Sequence, residues 1–337
     1  MSTYDAVRGL PLEIESYELE GHSAAVSSAF TRHTTLIRLR GAGEEGVGED
    51  TTYSEEEQLA FQQAGPVLAL AGSHTVDSFS GLFDGMDSHR RWGFESAALD
   101  LALRQAGRSL AEALGREPRP VTFVVSLRLG DPPSPEPVLR RLELYPGLRF
   151  KLDPTSDWND ALIAELAATG AVDSVDLKGT YKGTVVDQPP DPDLYARVAS
   201  AFPKVWIEDP ALTPETDPVL EPHRERITWD APIHSIADIE ALPFPPRTIN
   251  IKPSRFGSTR ALFDTYDYLA AESIGAYGGG QFELGAGRGQ IQYLASLFHA
   301  DAPNDVAPSA FNETEPRPGL PESPLEPSPT PTGFRWD

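Results

Sequence analysis

The chain has no cysteine, which excludes disulfides, zinc–thiolate sites and thiol nucleophiles. Positive charge is scarce: Lys and Arg total 28 against 51 Asp and Glu, a formal charge of −23 over 337 residues. A surface that acidic repels phosphate backbones and anionic headgroups, so neither nucleic acid nor membrane is an expected partner. It also means that an anionic small molecule must meet a local cation, either a metal ion or inward-facing lysines. Long apolar runs are missing too: PVLALA at 66–71 falls far short of the ~20 residues that cross a bilayer. The opening MSTYDAVRGLPLEI has neither the basic start nor the apolar stretch of a secretory signal, so a soluble, cytoplasmic protein is expected. Proline and glycine are plentiful, at 32 and 28, and the length allows one large core or two modest ones.

Residues 10–40 alternate as antiparallel strands do, at Leu12-Glu13-Ile14-Glu15-Ser16-Tyr17 and Thr34-Thr35-Leu36-Ile37-Arg38-Leu39-Arg40. Between them 21–33 is polar and rich in small residues, which predicts a mobile loop. The glycine-rich 41–50 (GAGEEGVGED) reads as a turn into a further short strand. Residues 54–118 read as helical: 55–64 is amphipathic, apolar residues recur at helical spacing from Ser96 to Leu114, and Gly115 is a stop. Strands followed by helices predict a small α+β domain over 1–118.

From Pro120 the pattern changes. Val121-Thr122-Phe123-Val124-Val125-Ser126-Leu127 is continuous enough for a strand buried on both faces. Strand and helix candidates then alternate, with helices over 159–169, 191–202, 257–272 and 289–299, a strand at 276–278 and a late one at 305–307. Seven or eight such units predict an α/β fold whose parallel sheet closes into a barrel over 119–311. Residues 312–337 form a Pro-rich strap, and Phe334 and Trp336 near its end predict that it docks on the globular body.

Inside the barrel region five short apolar runs each end in a charged residue: Lys151, Asp176, Glu208, Asp230 and Lys252, spaced 22 to 32 residues apart. Each interval holds one helix and two loops, which is one β/α unit. In a closed barrel those strand ends converge on one mouth. Three converging carboxylates need a cation between them, and oxygen-only donors suit Mg2+, with Mn2+ as a substitute, rather than zinc. Alternation puts Asp173 on the opposite face from Asp176. It likewise turns Asp209 away from Glu208, as a supporting or loop residue.

On these residues the chain resembles the enolase superfamily, and within it the branch of muconate lactonizing enzymes, o-succinylbenzoate synthases and dipeptide epimerases. The resemblance covers nearly the whole chain. It implies a modified (β/α)8 barrel, of the (β/α)7β kind, behind an α+β capping domain. The turn at 46–49 and the helix at 97–103 are typical of such caps, and the strap at 312–337 would return to the cap. It implies Lys151 and Lys252 as catalytic residues and Asp176, Glu208 and Asp230 as Mg2+ ligands. The reaction implied removes the proton α to a substrate carboxylate through an enediolate, ending in isomerisation (racemase, epimerase or cycloisomerase) or elimination. The chain departs from the family pattern at three places. Arg149-Phe150-Lys151 stands for the usual Lys-x-Lys. Lys178 stands two residues after Asp176, where Asn is common. Asp230 is followed by Ala231-Pro232 rather than a second acid.

The expected partner is a small-molecule carboxylate, and a homo-oligomer is compatible with the pattern. Candidate substrate contacts are Ser126, Arg149 and Lys178 at strand ends, Gln281, Glu283 and Arg288 in the glycine run 278–289, and His22, Phe30 and Arg32 in a specificity lid at 21–33. His234 reads as a helix-start residue. Two rival readings remain. One is a catalytically silent protein of the same fold that binds metal and carboxylate. The other is a nucleotide-dependent enzyme that cradles phosphate with the glycine run, although that run lacks Gly-Lys-Ser/Thr.

Overall fold

The computed structural model describes residues 2–26, 30–184 and 186–336. The cap is built from β1 (Pro11–Ile14), β2 (Ser16–Val26), β3 (Phe30–Gly41), β4 (Glu44–Asp50) and β5 (Gly72–Thr75). Strands β2-β3-β4 form one antiparallel sheet, and β1 pairs antiparallel with β5. The loop expected at 21–33 is largely strand: β2 and β3 pair from Ser16↔Arg40 out to Val26↔Phe30, and Ser27, Ser28 and Ala29 lie outside the described residues. The run of Thr31, Thr34 and Thr35 suits a pleated backbone, and Arg32 is anchored inward rather than in solvent. The helical reading of 54–118 misses β5, a short polar strand (GSHT) whose partner lies about 60 residues earlier.

Residues 46–49, expected as a turn, belong to β4. The turn is at Ala42 and Gly43, with φ of 49° and 77°. Both glycines of β4 serve close packing: a Cβ on Gly46 would strike the Ala97 carbonyl and one on Gly48 the Gly93 carbonyl. Those carbonyls belong to the helix Ser88–Gln105, which crosses the sheet and is buried continuously from Trp92 to Leu103. Small residues on both elements let the backbones approach.

The second region contains β6 (Val125–Leu127), β7 (Phe150–Leu152), β8 (Val172–Asp176), β9 (Trp206–Glu208), β10 (Ile227–Thr228), β11 (Thr248–Ile251) and β12 (Gly275–Gly278). Strands β6 to β10 form one parallel sheet in chain order, and β11 pairs in parallel with β12. Backbone hydrogen bonds carry the order onward. Asn250 N–H donates to Trp229 O at 2.9 Å, Asp305 N–H to Gly278 O at 2.8 Å, and Val124 N–H to Asn304 O at 2.8 Å. Segment 304–306 therefore fills the last position between β12 and β6, and the sheet returns on itself as a (β/α)7β ring. The expected helices are found at Asp160–Ala168, Pro192–Ala201, Thr259–Glu272 and Ala286–Phe298. The first three begin with Asn159, Asp191 and Ser258, each accepting a backbone N–H from the first turn. The helix Glu136–Leu144 was not expected.

Asn304 locks the closure. Its Oδ1 accepts Gly278 N–H at 2.6 Å, and its Nδ2 donates to the Thr122, His299 and Ala302 carbonyls. The same Oδ1 lies 2.7 Å from His299 Nδ1, and Tyr266 OH lies 3.0 Å from Nε2. Because Asn304 Nδ2 faces carbonyls, its Oδ1 is the acceptor. His299 is then a neutral ring donating from Nδ1 and accepting at Nε2. Burial pushes its pKa from 6.5 down to about 4. Protonation therefore favours the unfolded chain: this contribution is complete above pH 6.5 and is lost as pH falls toward 4. Between pH 7.5 and pH 5 it removes about 2 kcal/mol of stability. In urea unfolding at those two pH values, His299→Gln is expected to show a pH dependence smaller by that amount.

Phe334 is fully buried, edge-on to Trp92 with centroids 6.4 Å apart. Among the described residues no helix is long and apolar enough to cross a membrane.

Candidate active site

The strand ends bring the five expected residues together. Lys151 is on β7, Asp176 ends β8 and Glu208 ends β9, while Asp230 and Lys252 follow β10 and β11 directly. All five are buried. In the ring β6 to β12 plus 304–306, β7 and β11 are four places apart, so the two lysines enter from opposite sides with the carboxylates between them. Lys151 Nζ bonds Glu208 and lies 3.3 Å from Asp176 Oδ2 and 3.7 Å from Asp305. Lys252 Nζ donates to Asp230 Oδ2 at 2.8 Å. Tyr277 OH donates to Glu208.

Burial and neighbours treat the two lysines differently. Desolvation lowers Lys151, but Glu208, Asp176, Asp305 and Asp230 outweigh it and hold its pKa well above the usual value. Desolvation also lowers Lys252; Asp230 opposes this, and the nearby positive charges of Arg255 and Lys151 leave it lowered. Glu208 is pushed well up by desolvation and by Asp176, Asp230 and Asp209, against the pull of Lys151. Crowding of like charge raises it beyond what burial does.

Oxygens of Asp176, Glu208 and Asp209 lie within 4.8 Å of one another. Asp209 thus does not turn away as simple alternation predicts. Its φ of 48° breaks the extended run, and its two oxygens accept the N–H groups of Asp230 and Ala231 at 2.9 and 2.8 Å. Desolvation, then Asp230 and Asp176, raise it to about 7. Asp209 buttresses the turn that carries Asp230. Asp230 itself is held by Lys252, by Arg255 Nη1 at 2.7 Å and by Tyr181 OH at 2.6 Å.

The other candidates scatter. Ser126 sits beside Lys151 in register. Lys178 bonds Asp176. Arg149 lies outside the cluster, paired with Asp173 and the Gly170 carbonyl. Arg149 precedes β7, which stays regular; the register shift beside it adds a residue, Asp173, to β8, and that residue is the one Arg149 pairs with. His22 is on the hairpin arm, 3.0 Å from Glu20. Phe30 packs edge-on against Phe282 at 5.7 Å. Arg32 is 1% exposed and holds the Thr51, Thr52 and Gln281 carbonyls, so it pins cap to barrel. Gln281 accepts Tyr53 OH at 2.8 Å, and Glu283 pairs with Arg288 at 3.1 Å. His234 precedes the helix Ile236–Glu240, its N–H on Asp238.

The anion position of the glycine run is filled from within. Glu49 on β4 accepts the N–H groups of Leu284, Gly285 and Gly287 at 2.7, 3.1 and 2.9 Å, at the start of the helix Ala286–Phe298. A phosphate would have to displace this buried carboxylate.

Arg255, Tyr181, Tyr277, Asp153 and Asp305 are site residues that the strand-end pattern did not reveal. One sequence signal was available. Lys151, Lys178, Lys182, Lys204 and Lys252 are the chain's only lysines, and three of them meet here.

The chain is 28% identical over 229 residues to an o-succinylbenzoate synthase of Bacillus subtilis (strain 168), covering 65% of this chain and 59% of the synthase. The match thus spans less than two thirds of that relative. It is 29% identical over 303 residues to an N-succinylamino acid racemase of Amycolatopsis sp, covering 82% and 79% of the two chains. Among solved structures, muconate lactonizing enzyme from Pseudomonas putida has a TM-score of 0.70 at 19% identity, covering 96% of each chain. Dipeptide epimerase from Methylococcus capsulatus complexed with Mg ion has a TM-score of 0.65 at 18% identity, covering 91% of this chain and 89% of that one. The fold is that of the enolase superfamily. Residues 5–113 and 117–313 match the N-terminal and C-terminal domains of the family described as domain of unknown function (DUF8230), to which this chain belongs.

Proposed function

We propose that the protein is an enzyme that removes the proton α to the carboxylate of a small molecule, using Lys151 and Lys252 as its catalytic lysines. The observation that carries this reading is the array itself: two buried lysines entering from opposite sides of three buried carboxylates. The clustered ligand atoms, those of Asp176, Glu208 and Asp209, are all carboxylate oxygens and fit a hard divalent cation. Asp230 lies outside that cluster, drawn to Lys252, Arg255 and Tyr181. It takes the third ligand place in this reading because Asp209 is occupied by the N–H groups of Asp230 and Ala231. Asp176, Glu208 and Asp230 would hold Mg2+, with Mn2+ as a substitute. When bound, the ion would stabilise negative charge on the substrate carboxylate.

The remaining work falls to the chain. With the charges of Asp176 and Glu208 offset, Lys151 loses the groups that hold its pKa up, while burial still lowers it. Lys252 is already lowered, by burial and then by Arg255 and Lys151 against Asp230. Both amines thereby move toward the range in which a lysine exchanges protons near neutrality. One can take the α-proton from one face of the carbon, and the other can deliver a proton to the opposite face or stabilise the anion as a cation. The reaction class is isomerisation or elimination. The names of the racemase and synthase relatives and the Mg-bound epimerase neighbour support it.

The test is a panel of carboxylates incubated with protein and MgCl2: N-acylated amino acids, dipeptides, muconates and β-hydroxy cyclic acids. Turnover is followed by circular dichroism and ultraviolet absorbance. Conversion of at least one member that stops on chelation with EDTA is expected. A panel unchanged under all conditions would leave the silent-binder reading.

A further inference from the structure

Lys178 is the one lysine of the cluster that the proposed reaction does not use. Its backbone N–H donates to Asp176 Oδ1 at 3.1 Å and its Nζ to Asp176 Oδ2. One residue therefore closes on both oxygens of a carboxylate assigned to the divalent ion. It does so from a left-handed backbone, φ 53°, which a lysine adopts only at a cost. An ammonium and a divalent ion cannot share Asp176 Oδ2, because like charges about 4 Å apart repel strongly away from bulk water. The ammonium needs a second partner.

That partner is Asp153. Its Oδ1 lies 3.7 Å from Lys178 Nζ, is buried and has no hydrogen-bond partner. Its other oxygen accepts Arg128 Nε at 3.2 Å. Lys178 thus has two carboxylates within one rotamer change, one wanted by the ion and one with an oxygen to spare. Tyr181, whose ring centroid is 5.0 Å from Nζ, walls the other side and limits where the ammonium can go.

We propose that Lys178 competes with the divalent ion for Asp176 and passes to Asp153 when the ion binds, so that the Lys178–Asp153 pair sets the affinity of the metal centre. The inference rests on the metal site of the proposed function but not on turnover. Asp153 is a positioning residue here: it acts on the ion only through Lys178.

The test is calorimetric titration of the full-length protein with MgCl2. Lys178→Met is expected to bind Mg2+ roughly tenfold more tightly and Asp153→Asn roughly tenfold more weakly, the range in which groups around metal ligands act. The double variant is expected to match Lys178→Met, since Asp153 acts on the ion only through the lysine. Lys178→Asn, whose side chain tolerates a left-handed backbone, should also bind more tightly and guards against misfolding of the first variant. The proposal is overturned if both Lys178 variants bind no more tightly than wild type, or if Asp153→Asn still weakens binding in the Lys178→Met background. Should Asp176→Asn abolish binding while the Lys178 variants equal wild type, this inference fails and the metal site stands. Absence of Mg2+ binding in every variant would overturn both.

Discussion

Lys252→Met and Lys151→Met are each expected to slow α-proton removal by roughly 10³-fold, the usual contribution of a positioned acid or base, with the fold retained in MgCl2. Methionine keeps the buried stem and deletes the charge. The two variants should differ in kind. The lysines enter from ring positions four apart, β7 and the end of β11, so each addresses one face of a carbon bound between them. With separate enantiomers of an N-acylated amino acid in D2O, one variant should keep residual exchange on the L form and the other on the D form. Equal loss on both enantiomers in both variants would mean that one lysine does all the proton transfer and the other only stabilises charge. No loss in either would remove both from the reaction.

The second large effect concerns stability. Asp100, fully buried in the middle of the helix Ser88–Gln105, accepts Val47 N–H at 2.9 Å, Phe334 N–H at 2.7 Å and Arg335 Nε at 2.6 Å. Desolvation raises its pKa even though Arg335 and the backbone donors oppose it. One carboxylate therefore ties β4, the central helix of the cap and the C-terminal strap. Asp100→Ala leaves these donors unpaired in the interior, and a loss of about 3–5 kcal/mol is expected. Phe334→Ala should cost a similar ~3–5 kcal/mol through the cavity beside Trp92 and Tyr293. Because both act through the same docking, the double variant should lose less than the sum. Guanidinium unfolding of the four proteins measures this. Full additivity would show that the strap and Asp100 act independently.

The five-residue array was legible because a charge at the end of an apolar run is a one-dimensional signal, and five of them in order define a mouth. Two aromatics at the end of a Pro-rich segment, Phe334 and Trp336, are a one-dimensional signal of the same kind, and Phe334 is buried beside Trp92. What stayed hidden depends on geometry that alternation does not encode. Arg149 is held away from the cluster by Asp173 and the Gly170 carbonyl, and Asp209 turns inward through a positive φ. Strand β5 is four small polar residues with a distant partner. The closing strand is little more than Asn304 and Asp305, held by Asn304's side chain. The small, polar residues of 21–33 read as a loop. Its described residues, 21–26 and 30–33, are strand because β2 and β3 pair along their length and Arg32 finds three carbonyls. Arg255 lies three residues past Lys252, and only the short helix Pro253–Phe256 brings it back over Asp230.

The central claim is that two lysines and three carboxylates cooperate on an α-proton. Proton NMR of an N-acylated amino acid in D2O, with wild-type protein and MgCl2, tests it most directly. Loss of the α-proton signal at a rate that falls to background with EDTA and returns on adding Mg2+ is the predicted result. An α-proton signal that persists across the carboxylate panel, with Mg2+ bound and the protein folded, would contradict it.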